Sequence, residues 1–124
     1  MIPRMGACKQ VLLLILAVLA VAVPAAEPWR TIDLRVAERR LENGPKTIRL
    51  VRGERVTLRW IADEKMTVHV HGYDIALALE PGIMKAMPIE ARVAGRFPVT
   101  AHLAPGAGGR HREPTLLYLE VQPE

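Results

Sequence analysis

Gly53-Glu54-Arg55-Val56-Thr57-Leu58-Arg59-Trp60 decides the fold. A glycine turn opens the stretch, and apolar Val56, Leu58 and Trp60 then alternate with polar Thr57 and Arg59, the period of a strand with one buried face. The same period runs outward in both directions. Upstream, Ile32, Leu34 and Val36 alternate with Asp33 and Arg35, and Ile48 and Leu50 follow. Downstream, a turn at Ala62-Asp63-Glu64-Lys65 leads to Val68 and Val70, and Ile75, Leu77 and Leu79 run to a stop at Pro81-Gly82. The segment from Met84 to Val93 is less regular, and Pro88 within it suits an edge strand or a bulge better than a central strand because proline donates no ladder hydrogen bond. Phe97, Val99 and Ala101 form another inward series, and Leu117, Leu119 and Val121 close the pattern. No stretch holds a helical period. About seven to eight short strands with turn signals between them predict an all-β, antiparallel Greek-key β-sandwich. Val56, Leu58, Trp60, Val68, Val70, Phe97 and Val99 are expected in its core.

The N-terminal segment has a different character. Arg4 and Lys9 precede an apolar run from Val11 to Val23 that ends in Pro24-Ala25-Ala26. A run this short, with a basic start and a small-residue exit, has the pattern of a signal peptide spanning 1–26, cleaved after Ala25 or Ala26. An uncleaved membrane anchor is the competing reading. Cys8 precedes the apolar run, so it is not placed to accept a lipid. Residues 27–124 then form one domain with a single core, expected in the periplasm or secreted, with no stable membrane insertion once the leader is gone. This part has no cysteine, so packing and not disulfides must stabilise it. Setting aside Arg4 and Lys9, 15 basic residues face 13 acidic ones. So small an excess does not point to nucleic acid.

All four histidines, His69, His71, His102 and His111, lie in the second half of the chain. His69 and His71 are two apart on a strand, so they share a face, separated by about 6.5 to 7 Å along it. His102 faces away from the series Phe97, Val99 and Ala101, and His111 rides on the glycine-rich connection between residues 104 and 114. The four are expected to surround one end of the sandwich. Imidazole is a borderline ligand suited to copper or zinc, so His69 and His71 with a third histidine would make an ordinary metal site. The other reading is that they are solvated polar residues alternating with core residues.

Several segments, in this order and spacing, resemble a cupredoxin-like domain. They are Pro45-Lys46-Thr47-Ile48-Arg49-Leu50-Val51-Arg52-Gly53-Glu54-Arg55-Val56, His71-Gly72-Tyr73-Asp74, Pro81-Gly82, Gly95-Arg96-Phe97 and Leu117-Tyr118-Leu119-Glu120-Val121. The pattern is similar to exported bacterial cupredoxin-like proteins and to the copper domain of cytochrome oxidase subunit II. The resemblance implies a cupredoxin-like fold and copper as the cofactor; zinc, which imidazoles also suit, is the less favoured ion. It places His71 at the family's first copper-ligating histidine, and His102 or His111 at the second. The family's cysteine ligand has no counterpart, since Thr100-Ala101-His102 follows Gly95-Arg96-Phe97-Pro98-Val99, and no methionine follows His102. Without a thiolate, a conventional blue-copper electron carrier is not expected.

Met84 and Met87 are an odd number apart and would point to opposite faces of a strand, so methionine as a core filler is preferred over a thioether site. Arg49, Arg55 and Arg59 are expected to form a basic stripe on neighbouring strands, read as a solvated face. Tyr73-Asp74 is expected to shape the turn after His71, with Asp74 a possible acceptor from an imidazole. The chain contains no serine, and residues 27–124 offer no cysteine and no paired carboxylates, so no catalytic arrangement is legible and a non-enzyme is expected. The leading reading is an exported protein that binds copper through histidines, for metal handling or as an accessory to a protein partner in an envelope redox complex. The alternative is a metal-free sandwich serving as a protein-interaction module.

Overall fold

Nine strands build two packed sheets in the computed structural model, which describes residues 2–3, 20–23, 29–103 and 113–124. The processing site expected at Ala25 or Ala26, most of the leader and His111 lie outside the described residues. The strands are β1 (Arg30–Ala37), β2 (Arg40–Leu41), β3 (Thr47–Val51), β4 (Arg55–Ala62) and β5 (Met66–Val70), then β6 (Ile75–Leu79), β7 (Lys85–Glu90), β8 (Gly95–Leu103) and β9 (Thr115–Gln122). One sheet has the order β2-β1-β4-β7 and the other β3-β9-β8-β5-β6. Among the described residues no helix is long and apolar enough to cross a membrane.

The core forms where the inward faces meet. On β4, Val56, Leu58 and Trp60 are fully buried, and Val68 and Val70 on β5 face them with Val99, Leu117 and Leu119 from β8 and β9. Phe97 packs against this cluster while only partly buried. Trp60 brings a penalty with it, because its indole N–H is buried with no hydrogen-bond partner among the described residues. An unmade hydrogen bond costs about 1–3 kcal/mol. Burying a ring of this size contributes roughly 4–6 kcal/mol at about 25 cal/mol per Å², so burial wins. Met66 and Met87 are buried on the facing sheets, as expected of methionine as a core filler, whereas Met84 precedes β7 and is exposed, against that expectation.

The sheets are not antiparallel throughout, as the alternation had led us to expect. β1 runs parallel to β4, and β3 runs parallel to β9. The chain crosses to the other sheet between β2 and β3 and crosses back between β3 and β4 instead of folding back as a hairpin, so the paired strands are not consecutive. Gly53 takes a left-handed φ of 96° there, where a side chain would be strained. The corner is held from both sides: the Arg52 N–H donates to Gln122 O at the end of β9, and the Gly53 N–H donates to Ala91 O just after β7. β7 is the edge of its sheet, which suits Pro88.

The change of sheet also removes the expected basic stripe. Arg49 lies on β3 beside Glu120, whereas Arg55 and Arg59 lie on β4 in the opposite sheet. Arg55 stands over Trp29, and Arg59 makes a two-pronged contact to Asp33 across the parallel β1–β4 pair. Hydrogen bonding from Arg59, aided by its charge and opposed by a smaller desolvation effect, holds the Asp33 carboxyl below its ordinary value of 3.8. A carboxylate stabilised in the folded state contributes stability above its unfolded pKa, and that contribution is lost as pH falls through the lowered folded value. We expect a carbon-detected NMR titration to place Asp33 below 3.8, and Arg59→Gln to return it to the ordinary range. An unshifted Asp33 in the wild type contradicts the pairing.

Candidate functional site

With Val68 and Val70 committed to the core, strand parity turns Thr67 and His69 outward on the five-stranded sheet. The β5–β8 ladder pairs His69 with Thr100 and Thr67 with His102, so His102 shares that outward face. The ladder continues one step past β5, where the His71 N–H donates to Pro98 O at 3.1 Å. His71 is therefore the last residue held in register before the turn.

The three described histidines run along the outward sheet face instead of ringing one end of the sandwich. His69 is the middle one, with its ring centroid 4.4 Å from that of His71, edge to face, and 6.1 Å from that of His102. His71 Nε2 lies 2.9 Å from Thr100 Oγ1, a diagonal cross-strand hydrogen bond. Thr100 is the buried polar residue of this patch, at 6% exposure, and among the described residues its hydroxyl finds its partner in that imidazole.

Two residues of the patch were not singled out from the sequence, Thr100 and Glu113. One Glu113 oxygen is 3.2 Å from His102 Nδ1 and the other is 3.9 Å from His71 Nε2. A register break brings this carboxylate into place. β8 and β9 pair regularly from Gly95↔Val121 to Val99↔Leu117, but the next pair is Thr100↔Thr115. Leu116 is left over as a β-bulge. Counted back from buried Leu117, Leu119 and Val121, a regular strand would turn Thr115 and Glu113 inward. The extra residue reverses that parity, the Ala101 N–H donates to Pro114 O, and Glu113 emerges beside His102.

The turn after His71 is fixed by packing. Gly72 has φ +85°, and a Cβ placed there would lie 2.3 Å from the Phe97 ring. Tyr73 stacks edge-on against Phe97 at 5.0 Å, and its hydroxyl donates to Val93 O at 2.7 Å while accepting from the Val93 N–H at 3.1 Å. Asp74 occupies the left-handed region at φ 53° and shapes the turn. Among the described residues it makes no hydrogen bond to an imidazole.

The donor chemistry suits a borderline metal ion: three imidazoles and one carboxylate on one face. Among the described residues, no three His, Cys, Asp or Glu side chains already converge on a common point that could hold an ion. Two imidazoles on a tetrahedral ion, with metal–nitrogen bonds of about 2.0–2.1 Å, have ring centres roughly 5 Å apart, and the observed 4.4 and 6.1 Å fall on either side. Binding would require the rings to turn and Glu113 to exchange its imidazole contacts for the ion.

No family model and no curated protein matches the sequence. Solved structures match at the level of fold. A heme-copper terminal oxidase dimer aligns with a TM-score of 0.58 and 20% identity over 75% of this chain and 65% of that chain. A blue copper oxidase from Nitrosomonas europaea aligns at 0.59 and 19%, over 78% and 40%, and a multicopper oxidase at 0.54 and 17%, over 77% and 42%. The fold shared with these copper-oxidase domains is that of cupredoxins. This chain spans 65% or less of the length of each.

Two substitutions check this local construction. Thr100→Val should cost about 1 kcal/mol in urea unfolding, the usual net worth of one hydrogen bond, and should move the ring nitrogen resonances of His71 more than those of His102. Gly72→Ala should cost about 1–3 kcal/mol, combining left-handed strain with overpacking against Phe97. An unchanged urea midpoint for Gly72→Ala would mean that the turn is not held as described.

Proposed function

We propose that this chain is an exported cupredoxin-fold protein that binds copper through His69, His71 and His102, and that it works in metal handling or as an accessory to an envelope redox complex. The observation that carries the reading is the gathering of three imidazoles, contributed by β5, the turn after it and β8, on one face of a fold otherwise found in copper-oxidase domains. Support for export comes from the leader-like segment 1–26.

The copper ion would supply Lewis acidity and a redox couple, while the chain's residues hold and orient it. His69 sits between its two neighbours and is placed to share an ion with either. Thr100 restrains His71 through its Nε2, so the hydroxyl must let that nitrogen go or His71 must bind through Nδ1. With no thiolate available, we read the protein as a binding protein and not a catalyst or blue-copper carrier.

A second reading has its own support. The patch is already satisfied internally, because Glu113 pairs with His102 and lies near His71, and Thr100 bonds His71. On that reading the contacts are structural, and the sandwich is a metal-free interaction module.

Titration of the processed protein with cupric, cuprous and zinc ions separates the two. We expect binding near neutral pH, a cupric form without intense blue colour, and a rise in thermal stability that follows ion concentration by mass action. Binding should weaken in acid, since proton and metal compete for the same imidazole lone pairs. The His69→Ala, His71→Ala double variant should lose most of the affinity. No detectable binding by the wild type, or affinity unchanged in the double variant, removes the metal reading and leaves the interaction module.

A further inference from the structure

Glu113 is the charged member of the patch. Neutral imidazoles bring no charge to a metal ion, so a site of His69, His71 and His102 alone would leave the full charge of a bound cation uncompensated. Both carboxylate oxygens of Glu113 are turned to the histidines, one toward His102 Nδ1 and one toward His71 Nε2. The bulge at Leu116 brings the carboxylate there. The side chain remains 44% exposed, which leaves it free to reorient.

Soft donors are placed elsewhere. Met66 and Met87 are buried in the core at 2% and 1% exposure, on the inward side of their sheets. Met84 is exposed, but it precedes β7 in the opposite sheet. Residues 27–124 have no cysteine. The donors on the histidine face are thus nitrogen and oxygen, and a carboxylate oxygen is a hard ligand that favours divalent over monovalent soft ions.

We propose that Glu113 is the anionic donor of this site and makes it selective for an oxidised, divalent ion, cupric copper or zinc, over cuprous copper. The inference rests on the metal-binding reading above and assigns that site its ion class. The carboxylate gives up its contact with His102 and takes the ion instead. Cuprous copper, satisfied by two or three imidazoles, gains little from the oxygen.

Affinities of the wild-type protein and of Glu113→Gln for cupric, zinc and cuprous ions, measured by competition with chelators, test this directly. Gln keeps the length of the side chain and an acceptor oxygen but removes the charge. We expect cupric and zinc affinity to fall about tenfold or more and cuprous affinity to stay within about threefold. The cupric electron paramagnetic resonance spectrum should also shift toward an all-nitrogen donor set. Divalent affinities within twofold of wild type, or an equal loss for all three ions, overturn the assignment. Loss of binding in the His69→Ala, His71→Ala variant together with an unaffected Glu113→Gln sinks the role of Glu113 alone. A wild type that binds none of the three ions sinks the metal reading itself, and this inference with it.

Discussion

The burial of Val68 and Val70 against Val56, Leu58 and Trp60 is the constraint on which the rest depends. Side chains alternate along a strand, so committing these residues to the core leaves His69 no choice of face. Pairing with β8 then brings Thr100 and His102 to the same surface. Slipping β5 by one residue would expose its valines and bury an imidazole, a change that costs far more than any contact on the outer face supplies. The histidine-bearing patch is thus a by-product of core packing, held in register by residues it never touches.

Two departures from regularity convert that plain sheet into a site. The left-handed turn at Gly72, wedged on Phe97 and tied through Tyr73 to Val93, ends β5 directly after His71 and keeps that imidazole against His69. The bulge at Leu116 reverses the facing of Glu113 and delivers a carboxylate to His102. Bulges recur where a sheet must redirect a side chain. Here the local loss of ladder pairing coincides with the one acidic group in contact with the histidines among the described residues.

The contrast with a thiolate copper centre follows from the same geometry. Thr100, which opens the Thr100-Ala101-His102 stretch found where the resemblance leads one to expect a cysteine, lies on the outward face, 6% exposed and bonded to His71. A hydroxyl here is an orienting group, since it can hold one imidazole nitrogen but is a poor metal ligand beside imidazole and carboxylate. The fold shared with copper-oxidase domains thus carries imidazoles, a hydroxyl and a carboxylate on this face, with no thiolate.

Alternation around Trp60 and along β5 was enough to read the β-sandwich, the core residues and the outward facing of His69 and His102, because a period of two is a local property of the chain. Pro88 likewise announced its edge strand. The parallel pairings β1–β4 and β3–β9 were not legible, because nothing local to β3 or β4 records that the Gly53 corner changes sheets; the dispersal of Arg49 from Arg55 and Arg59 has the same origin. Glu113 was hidden for a related reason. Counting back from Leu117 assigns it to the core side, and only pairing with β8 shows that Leu116 is an extra residue. The sequence by itself determined which side chains must be buried and therefore which could face water. Which outward residues meet was decided by tertiary structure, because strand order and register depend on contacts between segments far apart in the chain.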